Sequence, residues 1–169
     1  MPEMNYCMQC GTKLTKKYLA SEGKDIPYCE RCEDFRFPVF NTAVSMVVTN
    51  QDEDQILLIK QYGRDRYVLV AGYINKGEDA ENAVVREVRE ETGLNVVRVR
   101  FNHSHYFANS NTLMLNFKAV VENMDVHENE EIDSYNWFTI EEARDNICRP
   151  SLAACFLDGY LTGEYTFNY

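Results

Sequence analysis

The sequence lacks clusters of basic residues: 17 Lys and Arg residues stand against 27 Asp and Glu residues, and the formal net charge at pH 7 is −10. Clustered Lys and Arg drive binding to nucleic acids and to anionic membranes, so this composition argues against strong nucleic-acid binding and against a membrane partner. An acidic protein can still act on phosphate esters when divalent cations lie between the two sets of negative charge.

Long apolar stretches are also missing, and no segment approaches the length needed to cross a bilayer. Residues 1–5 carry neither the basic nor the apolar region of a secretory signal, so we expect a cytoplasmic protein. The remaining composition, 45% hydrophobic and 26% charged, is typical of a soluble globular protein. A chain of 169 residues is long enough for one domain with its own core and a small additional module.

The first 36 residues have too few apolar side chains for a core, yet they hold four of the six cysteines. Cys7 and Cys10 form one Cys-x-x-Cys pair, and Cys29 and Cys32 form a second pair after 18 intervening residues. This spacing is typical of a zinc ribbon, in which four thiolates close a tetrahedral structural Zn²⁺ site that supplies folding energy. A redox pair or disulfides fit a reduced compartment less well.

Two other interpretations of the cysteine-containing segments are weaker. Lysines between the two pairs suggest a ribbon that binds nucleic acid, but the net charge of −10 argues against it; they are Lys13, Lys16, Lys17 and Lys24. Cys148 and Cys155 lack the spacing of metal ligands and are interpreted as packing residues.

From residue 37 onward, segments typical of strands and of helices are interspersed, which predicts a mixed α/β domain over residues 37–169 after a ribbon over residues 1–36. Strands are predicted over residues 43–49, 55–61, 67–70, 96–107, 112–121 and 132–138. Helices are predicted over residues 80–92, from residue 139, and over residues 151–160. Asp79 is the expected N-cap of the first helix, and Gly93 is its expected C-terminal stop.

The first predicted helix carries Glu87, Glu90 and Glu91 at spacings of three and four, so their side chains project from one side. A solvated acidic face is the simpler alternative, and repulsion within such pairs costs only about 0.2–0.5 kcal/mol. However, Glu87 and Glu91 share their side with Val84 and Val88, which should face the sheet. Carboxylates beside a core-facing stripe are costly unless a cation joins them, and Mg²⁺ or Mn²⁺ prefers such oxygen ligands.

Residues 72–94, GYINKGEDAENAVVREVREETGL, match the Nudix box, G-x5-E-x7-R-E-(apolar)-x-E-E-x-G-(apolar), at every defined position: Gly72, Glu78, Arg86, Glu87, Val88, Glu90, Glu91, Gly93 and Leu94. The sequence therefore resembles the Nudix hydrolases. This resemblance implies a three-layer α/β/α sandwich with a mixed sheet, preceded here by the small zinc ribbon. It also implies hydrolysis of a diphosphate bridge, with metal ions neutralising charge and activating water.

The resemblance assigns catalytic roles to the box acids. Glu87, Glu90 and Glu91 are expected to hold the catalytic Mg²⁺ or Mn²⁺ together with the backbone carbonyl of Ala71. Which acid is the general base stays open.

The resemblance also assigns roles to residues around the acids. Glu78 is expected to pair with Arg86 and to fix the loop against the helix, the alternative being a surface ion pair of little value. Glu131 is the expected further metal-binding acid. Glu128 and Glu130 compete for that role, and an ordinary acidic loop is the alternative.

A zinc ribbon directly before a Nudix domain resembles the NADH pyrophosphatase branch, and the likeness runs from Cys7 to the last helix. The resemblance implies cleavage of NADH, and more slowly of NAD⁺ or related dinucleotides, into two mononucleotides. It also implies a homodimer and nucleotide contacts by Phe37, Tyr73 and Ala153.

One segment departs from that branch. Residues 104–110 read SHYFANS where the branch has S-Q-P-W-P-F-P, so Ser104 is kept and the prolines are not. Tyr106 and Phe107 can still stack on a base, whereas His103 and His105 are expected to be structural or solvent-facing. The substrate alternatives are therefore ADP-ribose, another sugar nucleotide or a nucleoside triphosphate. The alternative outside the enzymes is a Nudix-fold ligand-sensing or interaction module, although such modules usually lack some box acids and this chain has all of them.

Overall fold

The computed structural model describes residues 4–127 and 132–168, and the chain divides into two compact units. The first unit comprises Met1–Asn41 with Ala108–Asn111, and the second comprises Thr42–Phe107 with Thr112–Tyr169. The predicted domain limits, 1–36 and 37–169, stay a prediction, because compactness alone does not establish an independently folding domain.

The first unit contains a three-stranded antiparallel sheet with β2 in the centre, formed by β1 (Thr15–Leu19), β2 (Lys24–Cys29) and β3 (Asp34–Phe35). Gly23 closes the β1–β2 turn at a φ of 64°, a left-handed conformation that favours glycine. Ile26 and Tyr28 are buried, and the Tyr28 ring meets the Phe35 ring edge-on at 5.0 Å. This apolar core is small, as the composition predicts.

The second unit is built on a six-stranded sheet. Its strands are β4 (Asn41–Thr49), β5 (Gln55–Gln61), β6 (Val70–Tyr73), β7 (Val96–Phe107), β8 (Thr112–Val121) and β9 (Ile132–Thr139). The order is β7-β8-β4-β5-β9, and β6 pairs with β4. The strand predicted over residues 67–70 lies later, because Val68 bridges β5 before the chain changes partner and pairs with β4 from Val70 onward.

Helices cover both faces of this sheet. They are α1 (Ala80–Thr92), α2 (Ile140–Asn146) and α3 (Leu152–Thr162). Leu57 and Ile59 of β5 belong to the core beneath α1, whereas Ile56 and Leu58 belong to the core beneath α2 and α3. Side chains of a strand alternate between faces, so one strand supplies both cores. The predicted α/β/α sandwich with a mixed sheet is confirmed.

The predicted limits of α1 match the structure. Asp79 occupies the N-cap position, although its side chain makes no capping hydrogen bond. Gly93 ends the helix at a φ of 73°, and its N–H donates to the carbonyl of Arg89. Within residues 4–127 and 132–168, no helix combines the length and apolar character that a membrane crossing requires.

Candidate metal-binding and catalytic site

The buried face of α1 ends in an acid. Val84 and Val88 are fully buried against the sheet, and Glu91, one turn further along the same stripe, is only 3% exposed. The side chain of Glu87 is 12% exposed and that of Glu90 is 58% exposed. The three acids thus range from the protein interior to solvent, unlike a uniformly solvated acidic face.

Glu87 lies directly against the backbone of β6. A Cβ atom at position 72 would lie 1.9 Å from the carboxyl carbon of Glu87 and 2.2 Å from each of its oxygens. Gly72 is held in place by its pairing with Val44 of β4, so a side chain there would displace the carboxylate. The box glycine therefore makes room for the acid. Ala71, whose carbonyl is a predicted ligand, precedes it on β6.

Arg86 links the loop before α1 to the acids of the helix. Its Nε and Nη2 atoms donate to the two carboxylate oxygens of Glu78, each at 2.8 Å, and Nη2 also donates to the carbonyl of Tyr73 at 3.0 Å. Nη1 donates to Glu87 at 2.7 Å and to Glu90 at 2.9 Å. The structure therefore brings the predicted Glu78–Arg86 pair together in two-point geometry, which holds the loop against the helix.

The charges of this network shift two pKa values. Arg86, helped by the N–H of Asn75, lowers the pKa of Glu78 to about 2. Glu78, followed by Glu87 and Glu90, raises the pKa of Arg86. Both groups therefore stay charged near neutral pH, which keeps the network intact.

The box glutamates are not gathered around a single point. Among the described residues, the four N-terminal cysteines form the one cluster of metal-ligating side chains within 4.8 Å of one another. Glu87 and Glu90 share the Nη1 atom of Arg86, whereas Oε2 of Glu91 accepts a hydrogen bond from Gln61 at 2.8 Å. Glu87 and Glu90 thus share a guanidinium, whereas Glu91 is held by an amide.

The donor set nevertheless fits a hard divalent cation. A buried carboxylate costs free energy unless it is hydrogen-bonded or joined by a positive charge, and Glu91 accepts a hydrogen bond from the neutral amide of Gln61. Carboxylates outnumber the one guanidinium in this network, and oxygen ligands of this kind suit Mg²⁺ or Mn²⁺.

The predicted substrate residues are scattered. Tyr73 follows Gly72 on β6 and is 60% exposed, whereas Ala153 lies on α3 and packs against the core of that face. Tyr106 and Phe107 end β7, where they pair with Leu113 and Thr112.

Two other groups of predicted residues need separate mention. Phe37 belongs to the first unit and is 52% exposed. Glu131 and its alternatives Glu128 and Glu130 lie outside the described residues.

The histidines of β7 pack on the C-terminal tail. The His103 ring stacks on Tyr165 at 4.3 Å between centroids, and the His105 ring stacks on Phe167 at 3.8 Å. Burial, followed by the neighbouring His103, lowers the pKa of His105. Stacking of this kind agrees with the structural role expected for both residues.

The four predicted zinc ligands lie together in the first unit, and none is in a disulfide. Sγ of Cys10 lies 3.5 Å from Sγ of Cys29, and Sγ of Cys7 lies 3.9 Å from Sγ of Cys32. A tetrahedral site with Zn–S bonds of about 2.3 Å has sulfur atoms about 3.8 Å apart. These two distances are close to those of a closed four-thiolate zinc site, and all four sulfur atoms lie within 4.8 Å of one another.

Arg36 supports this cluster and is itself buried, with 8% of its surface exposed. Its Nε donates to Sγ of Cys7 at 3.3 Å. Burial alone raises the pKa of the Cys7 thiol, but Arg36 and the backbone amides of Gln9 and Cys10 outweigh it and lower that pKa to about 6. Cys10 is the main cause that raises the pKa of Cys32 to about 12. Arg36 thus favours the thiolate of Cys7, and a bound cation would stabilise the thiolates of all four cysteines.

Sequence reasoning missed Gln61 as a neighbour of the acids. The signal was present in β5, where the residues facing α1 are Leu57, Ile59 and then Gln61. A polar side chain on the face of a strand that otherwise packs into the core needs a polar partner. The partner of Gln61 is Glu91.

A three-layer α/β/α domain with an acid-bearing helix bound by arginine to its preceding loop is the architecture of the Nudix class. A model of the NUDIX domain matches residues 39–155, more than half of the chain. The chain therefore belongs to the NUDIX family of hydrolases.

The relatives include the NAD-capped RNA hydrolase NudC of Pseudomonas aeruginosa (strain LESB58), which is 29% identical over 157 residues. The match covers 92% of this chain and 55% of that protein, so the chain spans about half the length of the curated relatives that it matches. The crystal structure of a NUDIX hydrolase from Nitrosomonas europaea matches with a TM-score of 0.67 at 18% identity. The match covers 98% of this chain and 97% of the chain of that hydrolase. A second NUDIX hydrolase from that organism has a TM-score of 0.62 at 25% identity, with coverages of 75% and 92%.

Proposed function

We propose that this protein is a metal-dependent pyrophosphohydrolase that cleaves the diphosphate of a nucleoside diphosphate linked to another group. An NADH- or NAD-like dinucleotide is the proposed substrate, and water splits it into two mononucleotides. The observation that carries the proposal is the placement of the acids: Glu91 is buried at the end of a core stripe, and Glu87 fills the space that Gly72 leaves. A solvated acidic surface needs neither feature.

In this proposal Glu87, Glu90 and Glu91, with the carbonyl of Ala71, hold Mg²⁺ or Mn²⁺, and Glu131 adds a further acid. The bound ion neutralises phosphate charge, activates water and stabilises the leaving phosphate. A glutamate that is not fully engaged as a ligand accepts the proton of the attacking water.

Arg86 and Glu78 have a supporting role in the proposal. They keep the loop over residues 73–79 in register with α1, so that the backbone of β6 and the acids of the helix stay adjacent. Arg86 also keeps Glu87 and Glu90 on the same side of α1 as the loop.

The NAD-like substrate is supported by the relatives, whose name refers to an NAD-capped RNA. NADH, NAD⁺ and an NAD cap share a diphosphate between two nucleosides, so one site can cleave all three. The charge of −10 favours the small dinucleotides over a long RNA chain. Phe37, Tyr73, Tyr106, Phe107 and Ala153 are the proposed nucleotide contacts, and exposed Tyr73, next to the acids, is the best placed of them to stack on a base.

In the first unit, Cys7, Cys10, Cys29 and Cys32 are proposed to hold a structural Zn²⁺, supported by their sulfur distances. The homodimer and the cytoplasmic location stay predictions.

The test is product analysis on a panel of NADH, NAD⁺, ADP-ribose, nucleoside triphosphates and NAD-capped RNA, with Mg²⁺ or Mn²⁺. We expect two mononucleotides from NADH or NAD⁺. Glu87→Gln should lower turnover by at least about 100-fold with the fold retained, since residues that merely orient metal ligands are already worth 10- to 100-fold. Glu81→Gln, an exposed acid in the first turn of the same helix, is the matched control.

Other outcomes would redirect the proposal. Turnover of ADP-ribose or triphosphates alone would assign one of the alternative substrates. Binding of these nucleotides without turnover of any would indicate a ligand-sensing module.

A further inference from the structure

Two apolar stripes of the second unit end in polar residues, and those two residues meet. On β5 the side chains facing α1 are Leu57, Ile59 and then Gln61. On α1 the stripe facing the sheet runs through Val84 and Val88 to Glu91. Nε2 of Gln61 donates to Oε2 of Glu91 at 2.8 Å, so an amide–carboxylate hydrogen bond lies at the end of this apolar core.

The backbone around Gln61 fixes where its amide points. The β5–β9 pairing shifts register between Lys60 and Gln61, which is the geometry of a bulge. Immediately afterwards, the N–H of Gly63 donates to Oδ2 of Asp133 on β9 at 2.6 Å. Lys60 lies on the other face of the strand and pairs with Asp65. The end of β5 is therefore anchored on both sides of Gln61.

The chemistry of the partner is informative. Arg86 meets both oxygens of Glu78 and so places a positive charge directly against that carboxylate. Gln61 instead offers a neutral N–H, which orients the buried carboxylate of Glu91 while leaving its negative charge in place. A neutral donor in this position holds one oxygen of the acid without adding a positive charge that would compete with a divalent cation.

We propose that Gln61 is a positioning residue: it orients the carboxylate of Glu91 for the divalent cation and preserves the negative charge of that carboxylate. This inference rests on the proposed function, because it assigns Glu91 to the cation. If Gln61 only supports the core, a lysine in its place should leave Mn²⁺ binding unchanged. If Gln61 prepares a cation site, a lysine should weaken Mn²⁺ binding.

The experiment compares Gln61→Met, which removes the donor, with Gln61→Lys, which supplies a donor that is also a cation. Mn²⁺ binding is measured without substrate, from the electron paramagnetic resonance signal of the free ion, on the full-length zinc-loaded protein. We expect both variants to weaken Mn²⁺ binding by about 10- to 100-fold, with Gln61→Lys the weaker binder. Gln55→Lys, at the opposite end of β5 on the same side of the strand, should bind as the wild type does.

Thermal unfolding without divalent ions gives the second measurement. Gln61→Met should unfold at a lower temperature than the wild type, because it removes the amide that donates to the buried carboxylate of Glu91. Gln61→Lys should unfold at the wild-type temperature or higher, because an ammonium group can replace the amide. Loss of Mn²⁺ binding in a variant of undiminished stability is the signature that a purely structural role would not produce.

Two results would overturn the inference. If Gln61→Lys binds Mn²⁺ as tightly as the wild type while the wild type hydrolyses dinucleotides, the proposed function stands and the role of Gln61 is refuted. If the wild type itself neither binds Mn²⁺ nor hydrolyses any diphosphate, both fail together.

Discussion

In the first unit the four cysteine sulfurs lie within 4.8 Å of one another, whereas in the second unit Arg86 binds Glu87 and Glu90 of α1 and Gln61 binds Glu91. Cys29 is completely buried, but the side chain of Glu90 is 58% exposed. The first arrangement can be completed by one ion alone. The second leaves Glu90 facing solvent, so further ligands can come from water and from a phosphate.

Each region also contains an arginine, and the two arginines differ in the same way as the two clusters. Arg36 is buried and donates to one thiol, Cys7, so that it supports a closed set of ligands. Arg86 donates to three carboxylates and to a carbonyl of the preceding loop. Removing a cysteine of the closed cluster should therefore unfold the first unit. Removing a glutamate of the open cluster should instead lower the rate of hydrolysis.

The largest expected effect is that of Cys29→Ser. Cys29 belongs both to β2 and to the cysteine cluster, in a unit with a small apolar core. Metal binding supplies folding energy in such modules, so we expect loss of zinc and of the ordered β1–β3 sheet. Metal analysis and amide NMR spectra measure the two effects. Cys155→Ser is the control, and a folded, zinc-free Cys29→Ser protein would remove the distinction between the two regions.

Gly72→Ala is expected to have the next largest effect. The new methyl group would lie 1.9 Å from the Glu87 carboxyl carbon, so the carboxylate must move against its hydrogen bond from Arg86, and such overpacking should cost up to about 1–3 kcal/mol. Both the unfolding temperature and the turnover should therefore fall. In the double variant with Glu87→Ala the clash disappears, so stability should recover while turnover stays low. A double variant as unstable as Gly72→Ala alone would show that the contact with Glu87 is not the cause.

Glu78→Gln is expected to have the smallest effect, and one that depends on pH. The pKa of Glu78 is lowered from 4.5 to about 2, so its pair with Arg86 stabilises the fold fully above pH 4.5. That contribution is lost as the pH falls from 4.5 to about 2. The difference in unfolding free energy between the wild type and Glu78→Gln should shrink over this window. An unchanged difference at pH 2.5 and pH 7 would contradict the assignment, and Glu81→Gln serves as the exposed control.

Much of the fold follows from local patterns. The limits of α1 are readable from Asp79 and Gly93, because caps act within one turn of the chain. The strand over residues 67–70 was placed too early, because the local pattern does not reveal that Val68 pairs with β5 while Val70 pairs with β4. Pairing partners distant in sequence determine such limits.

The sequence alone singles out the acids of residues 72–94 and the four cysteines as candidate ligands, because spacing on a helix and in Cys-x-x-Cys pairs fixes which side chains can act together. Tertiary structure decided how they are held. It placed Glu87 in the space left by Gly72, gave three carboxylates to Arg86, and brought Gln61 to Glu91 from 30 residues away. These contacts depend on how a helix packs on a sheet, and no local pattern encodes that packing.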